Sequence, residues 1–124
     1  MEKMLKANDL PQLLVDALPA RAVEIRRLVD ENTDDGQLSI YPLLGFVTDL
    51  VLQRMKSDAG VDRSELRALC DLAERALSHG DDRLDALFCL EFIDAFSRGA
   101  HRGVLVEDML GPRSLARFRQ TGPL

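Results

Sequence analysis

Two histidines, two cysteines and a scatter of carboxylates are the side chains of this 124-residue chain that could do chemistry. Their spacing limits what that chemistry can be. His79 and His101 lie beyond opposite ends of one apolar stretch, so a helix there holds them far apart. Neither belongs to an HxxxH or HExxH pattern and no CxxC occurs, so no metal site is expected. His79 falls in the last turn of an expected helix, where an imidazolium interacts favourably with the dipole. Cys70 and Cys89 fall on apolar helical faces, the setting of packing thiols rather than nucleophiles, and helix geometry keeps both histidines from reaching them. There is no glycine-rich phosphate loop. Asp49 shares an arc with Gln53 and Lys56 and reads as solvated; Asp62 and Asp81 read as helix caps; Asp71 precedes Arg75 by four residues, an ordinary helix-surface pair. No catalytic residue, metal ligand or cofactor is nominated, and a non-enzyme is expected.

One acid lacks so plain an assignment. Glu91 stands inside Phe88-Cys89-Leu90-Glu91-Phe92-Ile93, which otherwise looks like core. At 100° per residue, Leu87, Glu91, Asp94 and Arg98 fall on a single stripe of a helix that is apolar elsewhere. In one reading the stripe is a solvent edge, with Asp94 paired to Arg98 and Glu91 tethering an arginine from the tail. In the other it is a partner-binding face, with Leu87 as an exposed apolar anchor among charges.

These residues need a helical frame, and the patterning supplies one. A short helix after Asn8 includes Pro11 and stops before Pro19, which opens a second helix through about Glu31 with Ala22, Ile25, Leu28 and Val29 as its apolar stripe. The NTDDG run at 32–36 is a break, and 37–41 reads as extended because Tyr41 precedes Pro42, though too short to imply a sheet. A third helix runs from Pro42 to about Ser57, burying an arc of Leu43, Leu44, Phe46, Val47, Leu50, Val51 and Met55. Gly45 sits in its middle at a cost of about 1 kcal/mol against alanine, which fits either a close neighbour or a tolerated gap. Asp62 and Glu65 form a capping-box variant for a fourth helix, with Leu66, Leu69, Cys70, Ala73, Ala76 and Leu77 inward, Glu74 among the solvent-facing residues, and Gly80 as the stop. Asp81 caps a fifth, central helix over 84–97, making an antiparallel hairpin with the fourth. Val104 to Leu110 allows a turn or two of helix, and Pro112 opens a final short one carrying Leu115 and Phe118. The expectation is an all-α fold: a single compact bundle of about five to seven helices over 1–124.

With no Trp and one Tyr the core is aliphatic, and no stacking platform for single-stranded nucleic acid is present. The net charge of -5 is unevenly spread: residues 61–97 carry 4 basic and 9 acidic side chains, residues 98–124 carry 5 and 2. Arg98, Arg102, Arg113, Arg117 and Arg119 make the tail basic, but the deficit of positive charge elsewhere disfavours nucleic acid as a partner. The opening residues lack the apolar core of a signal peptide and no apolar run approaches the ~18 residues of a membrane span, so a cytoplasmic protein with reduced thiols is expected. Exposed Leu87 and the apolar C-terminal turn leave monomer and homodimer both open.

Residues 62–98 resemble a HEAT-type pair: an amphipathic helix, a Gly80-Asp81-Asp82 turn, a strongly apolar second helix. The stretch Tyr41-Pro42-Leu43-Leu44-Gly45-Phe46, the Gly80-Asp81 turn with Leu90-Glu91-Phe92-Ile93, and the closing Leu110-Gly111-Pro112 together resemble a group of small, uncharacterised bacterial all-helical proteins. Such acidic helical proteins are similar to immunity partners that bind and block bacterial toxins. The resemblance implies a non-catalytic protein-binding role toward a toxin, a basic nuclease being one such partner, and supplies no functional residues. The alternative is a regulatory adaptor or small-ligand sensor with a helical-core pocket beside Gly45 or Glu91.

Overall fold

The computed structural model describes residues 4–57, 63–98 and 106–120, the side chains of 54–57 apart. Apart from turns and one two-stranded hairpin these residues are helical and share one core, so the fold is an all-α compact bundle. Leu10 and Leu14, four residues apart, are fully buried on α1 (Leu10–Ala17), whose first turn accommodates Pro11 because the N–H there has no helical partner to lose. Pro19 opens a single 3-10 turn into α2 (Ala22–Glu31), a surface helix that buries Ile25. The NTDDG break becomes a hairpin: β1 (Thr33–Asp34) pairs antiparallel with β2 (Gln37–Leu38). Asp35 and Gly36 between them both take positive φ, 52° and 76°, which matches the right-handed twist of a tight hairpin.

The extended stretch therefore ends earlier than Tyr41, and the small sheet is real. Helix α3 (Ile40–Ser57) begins two residues before Pro42, with Tyr41 helical. The bias of a residue before proline against helix is outweighed here. Ile40, Leu43 and Leu44 reach the core from this register, and Pro42 lies within the first turn, where its missing N–H breaks nothing. Val47, Val51 and Leu52 continue the buried side, joined by Thr48, whose hydroxyl donates to the Leu44 carbonyl at 2.8 Å. Two residues of the expected arc sit elsewhere: Phe46 is exposed and Leu50 half-buried. A Cβ at Gly45 would meet nothing within 4 Å, so no close neighbour requires the glycine.

Helix α4 (Ser64–His79) buries Leu66, Leu69, Cys70, Leu72, Ala73 and Ala76, with Leu77 half-buried. The expected cap Asp62 lies outside the described residues. Glu65 reaches Arg21 in a forked pair, Nε to Oε2 at 3.2 Å and Nη2 to Oε1 at 3.3 Å, fastening the α1–α2 connection to α4. At the far end Gly80 is extended rather than left-handed; a Cβ there would overlap the Ala76 carbonyl oxygen, so close approach is what demands glycine. This lets Leu5 lie alongside: its N–H donates to the His79 carbonyl and its carbonyl accepts from the Asp81 N–H, both at 2.8 Å. One carboxylate secures the corner. Asp81 accepts from the Leu84 N–H at 2.8 Å as the cap of α5 (Asp82–Phe88) and from the Ala7 N–H at 3.1 Å. These two bonds hold its carboxyl below the usual carboxylate range. Helix α5 turns back on α4 as the expected antiparallel hairpin.

Residues 82–97 form one helical rod: α5, a π-turn (Cys89–Ile93) and α6 (Asp94–Ser97). After a turn that buries Val106 and Met109 comes α7 (Pro112–Gln120). Glu74, expected to face solvent from α4, is half-buried and caps this helix, accepting from the Ser114 N–H at 3.0 Å and the Arg113 N–H at 3.3 Å. Gly111 makes room for it, since a Cβ there would run into the Glu74 side chain.

Candidate functional site

The π-turn decides where the candidate face lies. On a regular helix, Leu84, Leu87 and Phe88 define a buried arc and Glu91 falls in its middle. A lone carboxylate there would cost at least several kcal/mol in lost hydration. The rod avoids this by accommodating one extra residue: the Asp94 N–H donates to the Cys89 carbonyl, five residues back. Everything beyond is rotated by about the 100° of a single residue. The buried set accordingly steps from Leu84, Leu87 and Phe88 to Phe92, Ile93, Phe96 and Ser97. Glu91 is turned to a half-buried position and Leu90 to solvent.

The same device preserves an aromatic ladder. Phe88, Phe92 and Phe96 recur every four residues, a spacing that drifts by about 40° per step on a regular helix. The wider turn absorbs the drift. Phe88 meets Phe92 edge-on with centroids 6.2 Å apart, and Phe92 meets Phe96 at 5.2 Å. This strict four-residue recurrence was the signal in the sequence that a uniform 100° wheel missed.

The expected ridge is corrected accordingly. Leu87 is fully buried, 0% exposed, and is core rather than an apolar anchor. Asp94 is 1% exposed and lies in an ionic cluster. Arg117 of α7 grips it with both arms, Nε to Oδ1 at 2.9 Å and Nη2 to Oδ2 at 2.7 Å, while Arg98 reaches Oδ2 at 3.3 Å. The expected Asp94–Arg98 pair thus exists, but the tail arginine is tethered by Asp94, not Glu91. The hydrogen bonds to Asp94 raise the Arg117 pKa further. The surface around Glu91 and Asp94 is therefore not the acidic patch that the charge layout suggested: two guanidinium groups offset the buried carboxylate. Of the four ridge residues, Glu91 remains at the surface in part and Arg98 largely so.

Side chains absent from that ridge are more available. Leu90 is 44% exposed and Phe46 48%, and the elements that carry them, the π-turn and α3, pack against each other. Tyr41, at the start of α3, is also exposed. The two thiols are less so. Burial pushes both thiols up to about 12, and Cys89 donates to Asp85 Oδ1 at 3.2 Å. His79 stands in the last turn of α4 as expected, and His101 lies outside the described residues. Among the described residues, no three His, Cys, Asp or Glu side chains gather as metal ligands would. Leu90, half-buried Glu91 and exposed Arg98 lie on the rod or at its end, and Phe46 on the helix packed against it. The clefts at the start of α4 and between the N-terminal turn and the hairpin border neither Gly45 nor Glu91. Among the described residues no helix is long and apolar enough to cross a membrane. Comparison with known protein families, with curated proteins and with solved structures finds no match.

Proposed function

We propose that this chain is a non-catalytic protein-binding domain of the immunity type, which binds and blocks a cognate toxin through the seam between α3 and the π-turn. The observation that carries this reading is that Leu90 and Phe46, two of the five large apolar side chains exposed among the described residues, stand on elements packed against each other. Glu91 and Arg98 supply a polar rim of both signs, the anatomy of a contact face with an apolar centre. In this reading the anchor is Leu90, three residues beyond the buried Leu87.

The test is co-expression with the product of the adjacent gene, followed by co-purification and an affinity measurement. Wild-type chain should retain that neighbour. Leu90→Asp and Phe46→Asp, whose side chains are half in water already, should keep the helical circular-dichroism spectrum and each weaken the complex by roughly thirtyfold, the scale of a 2 kcal/mol hot spot. An adjacent product that is not toxin-like and is not retained, or a complex indifferent to both substitutions, refutes the reading.

A further inference from the structure

A second place in the molecule has the makings of a site, away from the α3 seam. Between the N-terminal turn (Ala7–Asp9), β2 and the start of α5 lies an open cleft of about 470 Å³, within the ~300–1,000 Å³ typical of small-ligand sites. Its lining is mixed, more polar than apolar, with half-buried Leu38 and the edges of buried Ala7 and Ile40 as the apolar part. Its rim is polar, made of the Asn8 and Gln37 side-chain amides and the Arg83 guanidinium, all exposed.

The walls are held without help from any ligand. Asp81 ties down the Ala7 N–H, the Ser39 N–H donates to the Asn32 carbonyl at 2.9 Å, and the hairpin turn sets Gly36. The donors on the rim are uncommitted. Among the described residues Arg83 makes no ion pair, and the Asn8 and Gln37 amides make no side-chain hydrogen bond. Asp81, whose ionised form the Arg83 charge also favours, already accepts from Leu84 and Ala7 with its two oxygens.

The charge around the cleft narrows what would enter it. One planar guanidinium suits one carboxylate, held by two parallel N–H···O bonds. Exposed Asp82 beside Arg83, and exposed Asp34 and Asp35 beside Gly36, repel a multiply charged anion. The small apolar part of the lining leaves room for only a short hydrocarbon tail, and the two amides suit a second polar group. We propose that this cleft binds a small monocarboxylate with a short aliphatic portion, its carboxylate on Arg83 and its tail over Ala7, Leu38 and Ile40.

Hexanoate, hexanamide and inorganic phosphate are the probes, titrated into the full chain and followed by 1H–15N NMR. Hexanoate should shift the Asn8, Gln37 and Arg83 side-chain signals saturably, with a Kd of about 1 mM or tighter. Hexanamide should bind at least about tenfold more weakly, and Arg83→Gln should weaken hexanoate by a similar factor while leaving the remaining spectrum in place. The inference is overturned by any of four results: no saturation with hexanoate, phosphate binding as tightly as hexanoate, an Arg83→Gln variant that binds unchanged, or shifts centred elsewhere. None of these outcomes bears on partner binding at Leu90 and Phe46, so the two proposals stand or fall separately.

Discussion

Removing the two halves of the Asp94–Arg117 pair should have unequal consequences, because the halves differ in their access to water. The Asp94 side chain is 1% exposed and the Arg117 side chain 34%. Arg117→Met keeps the aliphatic stem but leaves a buried carboxylate facing Arg98, whose own side chain is 64% exposed and well solvated. Breaking a buried pair in this way costs ~3–5 kcal/mol; the partial exposure of Arg117 screens the interaction and places the expected loss near the lower limit, about 3 kcal/mol. Asp94→Asn keeps an oxygen acceptor in place and leaves a guanidinium that can swing toward solvent, so about 1–2 kcal/mol is expected. The double variant should be less destabilised than the sum of the singles by about 1–2 kcal/mol, the signature of a direct contact. Urea unfolding followed by far-ultraviolet circular dichroism is the assay, since the chain has no tryptophan to report by fluorescence; midpoints should move with the m-value unchanged. If Asp94→Asn costs as much as Arg117→Met, or the two effects simply add, the buried carboxylate is not what docks α7 onto the rod.

Three further outcomes follow from the geometry. Gly45→Ala places a methyl group in open space within a continuous helix, and should stabilise the protein by up to about 1 kcal/mol, seen as a rise of about 4 °C in Tm; a fall would mean that something packs there after all. Folding lowers the Asp81 pKa, so below the ordinary aspartate value near 3.9 the unfolded chain takes up the proton first. Its contribution is complete above that value and is lost as pH falls through the lower folded one. The stability gap between wild type and Asp81→Asn should accordingly be constant from neutral pH down to about pH 5 and close below about pH 4. With both thiols pushed up to about 12, roughly one in ten thousand is ionised at pH 8, so iodoacetamide should label neither Cys70 nor Cys89 until denaturant is added.

Much of the frame was legible because it rests on local chemistry. Pro19 and Pro112 open helical segments, Asp81 caps one, and the leucines of α1 and α4 repeat at helical spacing, so each element is announced by residues within its own span. Errors gathered where a distant contact overrode the local rule. Tyr41 is helical despite the proline that follows, because Ile40, Leu43 and Leu44 share the core with helices far along the chain. Gly80 ends α4 as expected, but its extended conformation beside the Ala76 carbonyl serves Leu5, which comes alongside from 75 residues away. Glu74 looked solvated because the helix end it caps lies 39 residues further on. No window of sequence around any of these residues contains its partner.

The candidate face was misplaced for a different reason. A helical wheel assumes one angle per residue throughout, and every side chain past Cys89 inherits the error of a single wider turn. Two features of the sequence conflict on a regular helix: Glu91 would enter the core, and Phe88, Phe92 and Phe96 would drift off a common line. One inserted residue removes both conflicts at once, because the rotation that lifts Glu91 out also brings Phe92 and Phe96 under Phe88. Asp94 lies instead where α7 covers the rod, a place where a charge is tolerable only with a partner, and Arg117 on α7 is that partner. Asp94, which a uniform wheel sets on one ridge with Glu91, thus ties the C-terminal helix to the rod.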